Sequence, residues 1–193
     1  LDGWESSIVN RISYPLLKQM KCTGINYRGV LYHGLYREES GLFVVETNVR
    51  FGDPEIQPIL ERLQTDMVPH LMACAEGKEL KGLPVLEWDE RPCVGIVLAS
   101  GGYPGDYEKG KEITGIDEAN KMKGVHVHAA GIVKKGDKYF TSGGRVALVT
   151  AMGGEAGDYA GAIARAKEGC AVINFEGKYM RDDIGFKARD RGA

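Results

Sequence analysis

Residues 43–57, Phe-Val-Val-Glu-Thr-Asn-Val-Arg-Phe-Gly-Asp-Pro-Glu-Ile-Gln, constrain this chain more than any other stretch. Successive side chains on a strand point to opposite sides, so Phe43, Val45, Thr47 and Val49 fall on one face and Glu46, Asn48 and Arg50 on the other. The pattern predicts a strand with an apolar back. Its polar face carries an acid, an amide and a guanidinium in a row, which is costly to bury unless something charged sits against it. A divalent metal with phosphates meets that requirement, because carboxylate and amide oxygens are hard ligands and a guanidinium pairs with phosphate or carboxylate as a fork. The strand should stop in Phe51-Gly52-Asp53-Pro54. Asp followed by Pro reads as an N-cap with Pro at the first helical position, so a helix is expected to open at Asp53.

Spacing alone leaves two readings of this face. One is a half-exposed strand; the other is a site with Glu46 and Asn48 as metal ligands and Arg50 on a phosphate or carboxylate.

The chain has 193 residues, 43% of them apolar, and a formal charge of −2. Those values fit one large or two small domains of a soluble globular protein. Charges are scattered without a basic stripe, and no apolar run approaches bilayer length, so nucleic-acid and membrane partners are disfavoured. Cys22, Cys74, Cys93 and Cys170 are widely spaced and form no CxxC pair. This argues against structural zinc and for reduced thiols in a cytoplasmic protein.

Along the chain, Ile8, Ile12, Leu16 and Met20 recur every four residues and predict a helix over 5–20, with Pro15 as a candidate kink. Residues 27–36 read as a strand, and Glu38-Glu39-Ser40-Gly41 turns the chain into the central strand, making the two antiparallel. His33 stands alone and is left out of the site. After the helix opening at Asp53, with Ile56, Ile59, Leu60 and Leu63 on one stripe, Thr65 is expected to cap a second helix over 66–75 that has Pro69 in its first turn and ends at Glu76-Gly77. A loop over 78–86 follows, with a domain boundary near Leu86.

The second part opens with a buried strand at 93–100 and the turn Gly101-Gly102-Tyr103-Pro104-Gly105, where Tyr103 is a candidate substrate contact. This turn lacks the lysine and hydroxyl of a phosphate-binding P-loop. Strands are expected at 125–133, 138–141 and 146–151, the first two joined by a Lys-Lys-Gly-Asp hairpin turn. His126 and His128 share a strand face. With no third Cys, His or acid in a supporting position, they read as solvated rather than as metal ligands. Residues 155–168 predict an amphipathic helix with Ala156, Tyr159, Ala160 and Ile163 inward and Gly169 as its stop, followed by a short strand at 173–175.

Four blocks of this sequence, in order, resemble the glycinamide ribonucleotide synthetase (phosphoribosylamine:glycine ligase) family of ATP-grasp enzymes. They are Tyr27-Arg28-Gly29-Val30-Leu31-Tyr32-His33-Gly34-Leu35 with Val45-Glu46-Thr47-Asn48-Val49-Arg50-Phe51-Gly52-Asp53-Pro54-Glu55-Ile56-Gln57; Gly101-Gly102-Tyr103-Pro104-Gly105-Asp106-Tyr107; Thr141-Ser142-Gly143-Gly144-Arg145-Val146; and Arg181-Asp182-Asp183-Ile184-Gly185-Phe186-Lys187-Ala188. One departure is Thr47, where the family more often has an aromatic. The resemblance implies an α/β (α+β) chain, with the C-terminal portion of an ATP-grasp domain over 1–86 and the ligase's C-terminal domain over 87–193. It further implies ATP, glycine and 5-phosphoribosylamine as substrates, Mg²⁺ or Mn²⁺ as cofactor on Glu46 and Asn48, and Arg50 and Asp53 as catalytic residues, with Asp53 open between substrate contact and N-cap. It covers only the latter half of the family's length, or slightly less. The chain is therefore expected to pack against a missing N-terminal half and to be inactive alone. Alternatives are another ATP-grasp ligase, such as a biotin-dependent carboxylase, and a non-catalytic packing module.

Overall fold

The structure, a computed structural model, describes residues 4–189. In chain order its elements are α1 (Trp4–Ile8), a π-helical turn (Val9–Ser13), α2 (Tyr14–Cys22), β1 (Tyr32–Glu38), β2 (Gly41–Asn48), α3 (Ile56–Arg62), α4 (Val68–Glu76), β3 (Cys93–Ala99), β4 (Glu112–Ile113), α5 (Ile116–Asn120), β5 (Val125–Ala129), β6 (Ile132–Lys135), β7 (Lys138–Thr141), β8 (Arg145–Met152), α6 (Tyr159–Val172) and α7 (Phe186–Arg189). The chain divides into two compact units, residues 1–52 with 66–85 and residues 53–65 with 86–193. Among the described residues every paired strand is antiparallel.

In the first unit, α1, the π turn and α2 form one continuous helix. The π turn ends two residues before Pro15, which lies in the first turn of α2. A proline has no N–H for the carbonyl four residues back, and the wider π register offers such a carbonyl the N–H five residues on. Within this turn Tyr14 N–H donates to Val9 O, five residues back, whereas the carbonyl that Pro15 leaves without an N–H is that of Arg11. Ile8, Ile12, Leu16 and Met20 form a half-buried stripe along it, as their spacing predicts. β1 starts at Tyr32 rather than at Tyr27, because the Tyr27 hydroxyl donates to Val30 O at 2.6 Å and closes a local loop around Gly29 (φ 150°). α4 starts at Val68, whose N–H donates to Asp66 Oδ1 at 2.9 Å. Thr65 does not cap it; its hydroxyl accepts instead from Glu87 N–H at 2.8 Å, within the second unit. Gly77 ends α4 in the left-handed conformation, φ 71°.

The second unit is layered around the sheet β3-β8-β5. One face, with Val94, Ile96, Leu98, Val149 and Val125, meets Ala162, Ala166 and Cys170 of α6 in the hydrophobic core. The other face receives α3, and Gly95 leaves the room that Pro58 Cγ occupies, 3.5 Å from where a β-carbon would be. A second sheet, β4-β7-β6, completes the unit.

Three expectations fail here for tertiary reasons. The strand over 125–133 is two strands in different sheets. The chain leaves the first at Gly131, which lies against Gly143 so tightly that a β-carbon on Gly131 would stand 2.6 Å from Gly143 Cα. α6 begins at Tyr159, capped by Asp158 accepting from Gly161 N–H at 2.8 Å, and it runs through Gly169 instead of stopping there. Its buried face is Ala162, Ala166, Gly169 and Cys170, so the predicted inward set is rotated except for the partly buried Ile163. Residues 173–175 provide only a bridge between Thr114 and Asn174.

Candidate active site

β2 ends at Asn48, and a bulge interrupts its alternation: Gly34 pairs with Glu46 but Leu35 pairs with Val44, leaving Val45 as the extra residue. The period-2 pattern therefore does not run unbroken from Phe43 to Arg50. The predicted apolar back is also not covered within this unit. Phe43 is 50% exposed, Val45 72% and Val49 66%, since a two-stranded sheet has too little surface to bury a face by itself. Beyond the bulge, Glu46 and Asn48 do share a face, opposite Gly34 and Tyr32 in register. A β-carbon on Gly34 would sit 2.9 Å from Glu46 Cγ, so this glycine makes room for the acid. Asn48 makes no side-chain hydrogen bond among the described residues, and its Nδ2 is buried without an acceptor. His33 points to the other face, between Ser13 Oγ (3.0 Å) and Thr47 Oγ1 (2.9 Å).

Arg50 lies in the bend after β2, so strand geometry does not align it with Glu46 and Asn48. Its Nη1 donates to Phe51 O at 2.8 Å, and no ion pair joins it to Glu46.

Asp53 is not an N-cap. The helix starts three residues later at Ile56 and has no side-chain cap, while the Asp53–Pro54 peptide is cis. In the second unit Arg145 holds Asp53 twice, Nη2 to Oδ2 at 3.0 Å and Nη1 to the backbone O at 2.7 Å. A charge-assisted fork outweighs a single cap bond. Pro54, Tyr103 and Arg145 line a largely apolar cleft of about 290 Å³ floored by Gly95 and Val97. Tyr103 is thus brought together with Arg145, a residue that motif reading quoted within its block but did not single out. The signal was its place beside Gly143 and Gly144; a β-carbon on Gly144 would run into the Tyr103 ring.

The histidine pair has the acid that its own strand lacked. Glu61 of α3 accepts from His126 Nδ1 at 2.6 Å and stands 3.2 Å from His128 Nε2, which also meets Thr150 Oγ1 at 2.9 Å. Among the described residues no group of three or more His, Cys, Asp or Glu is arranged to hold a metal. Burial pushes the thiols of Cys93 and Cys170 up to about 12, which removes both as nucleophiles at neutral pH. No described helix is long and apolar enough to cross a membrane.

Comparison with known proteins matches two family models to this chain, one after the other. Residues 2–56 match the family model for the phosphoribosylglycinamide synthetase ATP-grasp (A) domain, and residues 93–187 match that for its C domain. The chain is 43% identical over 183 residues to the phosphoribosylamine–glycine ligase of Rhodopirellula baltica, covering 95% of this chain and 41% of that protein. To the Synechocystis ligase it is 45% identical over 182 residues, covering 94% and 42%. It therefore spans about two-fifths of the length of these relatives. Among solved structures, the phosphoribosylamine–glycine ligase of Thermotoga maritima superimposes with a TM-score of 0.69 at 32% identity, covering 87% of this chain and 40% of that one. N5-carboxyaminoimidazole ribonucleotide synthetase of the same organism shares the fold, with a TM-score of 0.57 at 16% identity. With both domain models matched in order and relatives above 40% identity over nearly all of its residues, the chain belongs to the phosphoribosylglycinamide synthetase family of ATP-grasp proteins.

Proposed function

We propose that this chain supplies the C-terminal portion of an ATP-dependent ligase that joins glycine to 5-phosphoribosylamine, with residues 1–86 closing the ATP-grasp domain and 87–193 forming the C-terminal domain. The glycine carboxylate attacks the γ-phosphorus of ATP, releasing ADP and leaving glycyl phosphate. The ribosylamine nitrogen then attacks the glycyl carbon, phosphate leaves, and the nitrogen loses a proton. The carboxylate is already nucleophilic, so the first step asks the protein mainly for charge neutralisation.

The observation that carries this reading is the pair Glu46 and Asn48. They share one strand face, with space cleared by Gly34 and an Asn48 side chain whose buried Nδ2 has no hydrogen-bond partner among the described residues. A carboxylate and an amide oxygen suit Mg²⁺ or Mn²⁺, which when bound neutralises phosphate charge. Two protein ligands leave the rest of the shell to phosphates and water, as is usual for Mg²⁺. Arg50, without a carboxylate partner among the described residues, serves the transferring phosphate or the glycine carboxylate. Asp53 serves the amine. The exposed apolar run Phe43, Val44 and Val45 on β2 supports packing against the portion of the ligase that lies beyond this chain, in a cytoplasmic protein.

The test is Mn²⁺ binding and turnover in the full-length ligase carrying Glu46→Ala or Asn48→Ala. Both variants should lose Mn²⁺ affinity and turnover by about tenfold or more while keeping the wild-type melting temperature. Near-normal binding and activity in both would refute the metal assignment.

A further inference from the structure

We infer that Arg145 is a positioning residue for Asp53: it fixes the carboxylate with Oδ1 turned outward and cancels its charge, so that the amine presented to Oδ1 stays unprotonated. This rests on the proposed role of Asp53 toward the amine. Arg145 spends one nitrogen on Oδ2 (3.0 Å) and another on the backbone carbonyl (2.7 Å), fixing the residue at both ends of its side chain. Oδ1 is the oxygen left over. It accepts one long hydrogen bond, from Gln57 Nε2 at 3.5 Å, and keeps a second lone pair for another donor, with 46% of the side chain exposed. Arg145 also lines the cleft that Tyr103 and Pro54 share, so its guanidinium stands at an opening and not inside the packed core.

The chemical consequence concerns protonation. An amine attacks through its lone pair, and a bare carboxylate beside it favours the ammonium form, which has none. A carboxylate already paired with a guanidinium still accepts an N–H bond but contributes little net charge. Asp53 can then orient the nucleophile without disarming it. The other titratable or charged groups on the cleft are Tyr103, Tyr179 and Arg181. Arg181 is committed to Asp183, through Nε at 2.9 Å and Nη2 at 2.7 Å, which leaves Arg145 as the cation assigned to Asp53.

The pH dependence of kcat in the full-length ligase tests this, because kcat reports groups in the enzyme–substrate complex. Removing the guanidinium with Arg145→Met should move the acid limb of kcat upward by about half a pH unit and raise the KM for the amine, leaving the KM for ATP unchanged. Arg145→Lys keeps the charge and should keep the limb in place, with a higher amine KM because the fork is lost. Arg145→Met combined with Asp53→Asn should return the limb to its wild-type position, since the uncompensated charge is gone. An Arg145→Met enzyme that is only less heat-stable, with the limb unmoved, overturns the inference. Wild-type kcat and KM values for Asp53→Asn alone would instead overturn the prior reading of Asp53.

Discussion

Glu61 and His126 are joined at 2.6 Å between Oε2 and Nδ1 across 65 positions of sequence, and this bond fastens α3 to the edge strand of the central sheet. His128 lies 3.2 Å from the other oxygen, so one carboxylate spans both rings. Three residues before the start of α3, Arg145 holds Asp53. The short helix with its lead-in is tethered to one sheet at both ends, with Pro58 filling the space above Gly95 between them.

Glu61→Leu should therefore lower stability by about 1–2 kcal/mol, the value of lost hydrogen bonds to a mostly buried carboxylate offset by some apolar gain. Glu61→Gln keeps an acceptor oxygen at the same reach and should cost less than half as much. Urea unfolding midpoints of the two variants decide the matter. A Glu61→Leu protein as stable as the wild type would mean that the histidines hold nothing.

Gly169 tests the packing of α6 on the sheet. In an exposed helix, Gly→Ala gains roughly 1 kcal/mol from propensity. Here the new methyl would sit 2.8 Å from Val125 Cγ1 and 2.9 Å from Val149 Cγ1, both on fully buried residues. Overpacking costs about 1–3 kcal/mol, so the net expectation is destabilisation by about 1 kcal/mol and a melting temperature lower by several degrees. A stabilised Gly169→Ala protein would show that the helix stands further from the sheet.

What the sequence made legible follows the range of the interaction. The strand pair, its antiparallel sense, the four-residue stripe of the first helix and the proline in the first turn of α4 depend on neighbours a few positions apart. The bulge at Val45 depends on register with β1, which alternation alone cannot supply. Gly169 looks like a helix stop locally, and only the approach of Val125 and Val149 explains why the helix continues through it. The candidate site divides the same way. Glu46 and Asn48 were readable as a local i, i+2 pair. The partner of Asp53 is 92 positions away and turned an apparent N-cap into half of an ion pair.

Acid stability should carry the mark of Asp158. The backbone N–H of Gly154 (2.7 Å to Oδ2) and then that of Gly161 (2.8 Å to Oδ1) hold its carboxyl below the ordinary 3.8. A folded-state value depressed below the unfolded one contributes stability that is fully present above about 3.8 and is lost as pH falls through the folded value. Asp158→Asn does not titrate and offers one acceptor for two N–H groups. It should be less stable at neutral pH, and its stability should fall less steeply below about pH 4. Some slope persists, because the Arg91 fork holds Asp89 at about 2 and Arg181 lowers Asp183. Parallel wild-type and variant curves between pH 5 and pH 2 would remove Asp158 from the account.

Gly34 offers a way to disturb the proposed metal face without touching a ligand. Its register partner is Glu46, whose Cγ lies 2.9 Å and whose Oε1 lies 3.6 Å from the position a β-carbon on Gly34 would take. Alanine there forces the carboxylate stem to swing aside, and the flexible exposed side chain can do so without breaking the strand pair. Stability should stay within about 0.5 kcal/mol, because the loss of a close contact is offset by the lower chain entropy of alanine in the unfolded state. In the full-length ligase, metal affinity should fall by about tenfold, since moving a ligand by a fraction of an ångström is comparable to removing a residue that orients it. Titration of Gly34→Ala with Mn²⁺, beside Glu46→Ala as the limiting case, measures the effect. If Glu46→Ala loses the metal while Gly34→Ala binds it as the wild type does, the cleared space at Gly34 has no part in placing the acid.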